Sequence, residues 1–70
     1  MQAFEIIRTD INKRVVPAMK YSSEEEAVGQ YVSALMLAGI VKMNSSGLGV
    51  EKVGNAYRLS NGWIVEARAA

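Results

Sequence analysis

The chain contains no cysteine and no histidine in its 70 residues. The first absence removes disulfides and thiolate ligands. The second removes the commonest metal ligand and the commonest general base. Without disulfide or metal, a domain this short buries only about 60% of its unfolded surface and gains most from association. Lack of cysteine also fits a cytoplasmic protein. No strong charge of one sign is present: eight basic and seven acidic residues leave a net charge of +1. That balance does not favour a general polyanion binder, although a local basic patch is compatible with it. No apolar run is long enough to span a bilayer, which needs about 20 such residues. The start of the chain, MQAFEIIRTD, carries charge within its apolar part and does not read as a signal peptide.

The longest apolar stretch present is YVSALMLAGIVKM, residues 31–43. It reads as two elements joined at Gly39. Upstream, SSEEE opens a helix. Ser22 with Glu25, or Ser23 with Glu26, makes a capping box, and acidic residues suit the positive end of the helix dipole. The helix is expected over about 23–38. Gly39 fits the left-handed position beyond a helix end, with Ile40 folding back on Leu35. IVKM then reads as a short strand over 40–43 because its β-branched pair suits a pleated surface.

At about 100° per residue, Val28, Tyr31, Val32, Leu35 and Met36 share one face of this helix. The opposite face carries Gly29, Gln30, Ser33, Ala34 and Leu37, with no lysine or arginine. Either its own chain covers that face, or its small residues admit a partner. Before it, AFEIIRTDINKRVV places Phe4, Ile7, Ile11 and Val15 in a helical stripe, which predicts a first helix over about 3–15. Asp10 and Arg14 stand four apart on its flank. Val16 precedes Pro17 and ends the helix. Ile6 falls off the stripe on the solvent side, a second misplaced apolar residue after Leu37.

The remainder reads as strands over about 48–53, 56–60 and 63–68. A two-residue turn at Gly54-Asn55 pairs Val53 with Ala56, Glu51 with Arg58 and Val50 with Leu59. For the next turn, a three-residue loop over Ser60, Asn61 and Gly62 pairs Leu59 with Trp63 and Tyr57 with Val65. Only this register gathers Val50, Tyr57, Leu59, Trp63, Val65 and Ala67 on one face. It buries Trp63 and places Ile64 outside. The fold class expected is therefore α+β: one small domain, with two N-terminal helices packed on an antiparallel meander of three or four strands.

Catalytic signals are weak. SSGLG, residues 45–49, has glycines but lies between predicted strands and lacks the lysine of a phosphate loop, so it reads as a plain loop. Glu24, Glu25 and Glu26 already have a structural reason on a first helical turn. Ser33 and Tyr31 have no activating base, and nothing positions Lys20 or Lys42 for that role. No catalytic residue, metal or cofactor is expected, and no membrane contact.

The stretch YVSALMLAGIVKMNSSGLGVEKVGNAYRLSNG, residues 31–62, resembles the second half of a winged-helix domain. An apolar-Gly-apolar step ends the helix, and a strand resembling YRLS returns from a two-stranded wing. The resemblance implies a DNA-binding transcriptional regulator. Gln30 and Ser33 would then face bases, and Lys42, Lys52, Asn55 and Arg58 would meet phosphates. A helix-turn-helix also needs a helix and turn before the recognition helix, a break that only Gly29 could supply.

The competing expectation is a small non-enzymatic inhibitor, regulator or accessory subunit acting by protein–protein contact. It would self-associate, as a homodimer, or bind another protein, through Ile6, Gly29, Ser33, Ala34 and Leu37. A small ligand held at a subunit interface is a third class. The protein-interaction reading uses the uncharged helix face and needs no basic patch, and it leads here.

Overall fold

A computed structural model describes residues 2–42 and 50–70 of the chain. In chain order the elements are β1 (Gln2–Arg8), β2 (Lys13–Tyr21), α1 (Glu24–Leu37), β3 (Val50–Val53), β4 (Ala56–Leu59) and β5 (Ile64–Ala69). The strands form one five-stranded sheet in the order β2-β1-β5-β4-β3, and every neighbouring pair is antiparallel. One helix lies across the inner face, against β1, β2 and β5.

The expected first helix over 3–15 is instead a β-hairpin. Phe4 and Ile6 alternate with Ala3 and Glu5, so a strand sends both large residues to the helix side. The turn passes through Asn12, whose φ of 51° lies in the left-handed region that asparagine tolerates. Val15 and Val16 favour extended backbone. The expected Asp10–Arg14 pair is replaced by two others. Asp10 binds Arg8 at 2.6 Å, and Arg14 reaches Glu5 across the hairpin at 3.6 Å. Ile6, expected on the solvent side, is 0% exposed, at the centre of the core.

β1 runs in unbroken register with β5, whereas its register with β2 shifts twice, between Phe4 and Ile6 and between Ile6 and Ile7. β2 is thus a bulged edge strand, and it carries Pro17, Lys13, Arg14 and Lys20. Proline offers no ladder donor, and bulges and charges discourage further pairing. The other edge, β3, comprises four residues among those described, Val50–Val53.

The second half follows the sequence-derived register. Val50 pairs with Leu59, Glu51 with Arg58 and Val53 with Ala56. Tyr57 pairs with Val65, and the Leu59 N–H donates to the Trp63 carbonyl at 2.8 Å. Gly62, at φ 92°, takes the left-handed position of the three-residue loop. Trp63 departs from expectation in being half-buried: it packs against the core while the Arg8 guanidinium lies 4.0 Å from its ring centroid. Arg58 and Glu51 form the cross-strand ion pair, at 2.8 Å.

The helix begins at Ser23, whose hydroxyl accepts from the Glu26 N–H at 3.1 Å, while the Ser22 hydroxyl donates to the Glu26 carboxylate. It ends in a Schellman motif. Gly39 has φ 76°, its N–H reaches the Met36 carbonyl at 3.0 Å, and the Ile40 N–H reaches the Leu35 carbonyl at 2.9 Å. Ala27, Val28, Val32 and Leu35 are buried against Phe4, Ile6, Tyr57, Leu59, Val65 and Ala67.

The strand expected over 40–43 is irregular across its described residues, 40–42. The segment is fastened by one side chain instead of a ladder. Ser60 accepts from the Lys42 N–H at 3.2 Å and donates to the Lys42 carbonyl at 2.9 Å, which seats Val41 in the core. Ser60→Ala is expected to destabilise the fold by roughly 0.5–1.5 kcal/mol. Urea unfolding reads the loss, and hydrogen exchange at the Lys42 amide should accelerate. Met43, the SSGLG loop at 45–49 and the expected strand residues 48 and 49 lie outside the described residues.

Candidate functional site

Helical phase decides what α1 shows to its surroundings. Ser23 and Gly39 fix its two ends, and the apolar positions Val28, Val32 and Leu35 fix its inner side. Glu26, Gly29, Gln30, Ser33, Ala34 and Leu37 then line a shallow open trough along the outer side. Gln30, Ser33, Ala34 and Leu37 are exposed. Leu37 is 92% exposed, the most open of the large apolar side chains among the described residues. Ile40, just beyond the Schellman turn, is 47% exposed.

Gly29 is informative because nothing among the described residues needs a glycine there. No described atom outside the helix backbone lies within 4 Å of where its side chain would begin, and its φ is not left-handed. Glycine in a helix interior costs about 1 kcal/mol relative to alanine. The cost is therefore not offset by a close approach within the described chain.

Of the interface residues expected from sequence, the structure brings Gly29, Ser33, Ala34 and Leu37 together on one face and separates Ile6 from them. Ile6 lies beneath the helix and is unavailable to a partner. Glu26 and Gln30 join the strip. Their own hydrogen bond, 3.3 Å from Gln30 Nε2 to Glu26 Oε1, follows from their i, i+4 spacing.

The residues implied by the winged-helix resemblance are dispersed. Gln30 and Ser33 stand on the outer side of α1. Lys52 faces the Tyr57 ring at 5.8 Å, whereas Arg58 projects from the opposite side of the sheet and is engaged by Glu51. Asn55 occupies the turn between β3 and β4, and Lys42 follows the helix. The described residues contain one helix, so among them no helix pair precedes the β3–β4 hairpin.

A second cluster was not visible from sequence. Arg8 holds Asp10 through two hydrogen bonds, at 3.2 and 2.6 Å, beside Trp63 and the half-buried Tyr31. The Arg8 hydrogen bond keeps the Asp10 carboxyl below its ordinary range, and burial pushes the Tyr31 phenol up. Its members come from β1, the following turn, α1 and the residue just before β5, so no local spacing links them. Because cation and carboxylate satisfy each other, the cluster joins the first hairpin to β5 and leaves no uncompensated charge for a ligand. Among the described residues, no three potential ligand side chains from His, Cys, Asp and Glu gather to hold a metal, and no helix is long and apolar enough to cross a membrane.

No protein-family model, curated protein or solved structure matches the chain.

Proposed function

We propose that the chain is a small non-enzymatic binding protein that works by self-association through the outer face of α1. The observation that carries this reading is Leu37: a large aliphatic side chain, 92% exposed, at the end of a strip whose other members are small or polar and whose one charge, Glu26, lies at the far end, on a helix whose other side serves the core. Exposed apolar surface beside small side chains is a common feature of contact sites, and twofold pairs are the commonest closed assembly. In a 70-residue domain without disulfides, a partner also adds buried area that the single chain lacks. Regulation, inhibition or an accessory role in the cytoplasm fits such a module.

Sedimentation equilibrium tests the reading. The wild type should approach twice its 7.6 kDa mass as concentration rises. Leu37→Glu should stay folded by circular dichroism and remain at single-chain mass. A wild type that stays monomeric at high concentration would remove the reading. The nucleic-acid alternative predicts salt-dependent duplex binding that Lys52→Ala and Arg58→Ala weaken equally for all sequences. The engagement of Arg58 by Glu51 and the dispersed positions of the other residues favour the protein-contact reading.

A further inference from the structure

We infer that the partner is a second copy bound with its α1 antiparallel, about a twofold axis beside Ser33. This rests on the self-association reading and assigns its geometry. The outer face is self-complementary in one direction. Leu37 is a projecting side chain, and Gly29, eight positions earlier, is a notch with open space above it. Their midpoint is Ser33, a small exposed residue on the same face. An antiparallel copy centred there seats each Leu37 over the other chain's Gly29, so the same contact forms twice. A parallel copy sets Leu37 against Leu37 and Gly29 against Gly29, leaving the notch unfilled.

Charge points the same way. The first turn of α1 carries Glu24, Glu25 and Glu26, and its last turn carries no basic residue. Lys42 follows that last turn, and among the described residues its ammonium has no carboxylate within ion-pair distance. In the antiparallel pair, the acidic first turn of each chain lies near the other chain's Leu37–Lys42 end. A parallel pair would set six glutamates side by side. Antiparallel helix dipoles add to this preference.

The absence of native cysteine makes cross-linking a clean test. Ser33→Cys and Gln30→Cys are each exposed to mild oxidation at a concentration where the wild type is paired. At the axis, the Cα atoms of position 33 in the two copies come within disulfide reach, below about 7 Å. Two residues at position 30 are offset by three positions each, about 9 Å along the axis, beyond that reach. The expected result is rapid covalent dimer from Ser33→Cys and little from Gln30→Cys. Lys42→Glu should weaken pairing several-fold at low salt and much less at high salt. Cross-linking of both cysteine variants would mean a parallel pair. It would overturn this geometry and leave self-association standing. Cross-linking of neither, with a Leu37-dependent dimer still present by sedimentation, would also overturn it. A monomeric wild type would overturn geometry and self-association together.

Discussion

Ile6→Ala should remove a large part of the stability of the fold. Ile6 is 0% exposed, between α1 and the centre of the sheet. Removing a buried isoleucine to alanine costs roughly 2–5 kcal/mol in transfer and cavity terms. At about 0.05–0.15 kcal/mol per residue, a domain of this length has roughly 4–10 kcal/mol in total. The loss is therefore a large fraction of the stability, whereas Ile6→Val should cost only about 0.5–1.5 kcal/mol. Urea titration followed by circular dichroism measures both. The experiment also separates the two folds that the first hairpin segment could support. On a helix over 3–15, Ile6 would face solvent and its replacement would be nearly neutral. A neutral Ile6→Ala would contradict the hairpin.

Gly29→Leu should have opposite effects on folding and association. Among the described residues of the single chain the new side chain meets open space, and leucine is a strong helix former. Thermal or urea unfolding of the dilute monomer should show a gain of about 0.8 kcal/mol. In the proposed pair the same side chain would occupy the place of the other copy's Leu37. The dissociation constant should rise at least tenfold, read by sedimentation across a concentration series. Gly29→Ala should show the same signs, with a smaller effect on pairing. If Gly29→Leu raised stability and left association intact, the notch would have no part in the contact.

The contrast between the two halves of the chain has a physical cause. β3, β4 and β5 are consecutive, and their turns carry their own chemistry. Gly54-Asn55 and Asn61-Gly62 place positive φ where the hairpins need it, so register follows from nearby residues alone. α1 was legible for a similar reason, because Ser23 and Gly39 mark its ends and set its phase. β1 is different. Phe4, Ile6 and Ile7 satisfy a strand pattern and a helical stripe about equally well over so short a window. What decides between them is β5, far along the chain, which pairs Ile6 with Ala67 and Phe4 with Ala69. A long-range ladder leaves no local mark. Pro17 and Asn12 were the available hints, since both disfavour helix continuation. The misplacement of Ile6 in the expected interface came from that one element. The strip on α1 was unaffected because its phase never depended on the first hairpin. The Arg8–Asp10–Trp63 cluster was hidden likewise, since it exists only once β1 lies beside β5.

The bulged, proline-bearing β2 discourages strand addition at one margin of the sheet, and the described part of β3, four residues, offers little edge at the other. Growth by edge pairing has no natural end, because each added copy exposes a fresh edge. Contact through one helix face about a twofold axis ends at two, because each copy uses up the surface that the contact needs. In the proposed pair the stoichiometry would therefore be capped by parts of the molecule that take no part in the contact. Rising concentration should fill the dimer and then produce no larger species.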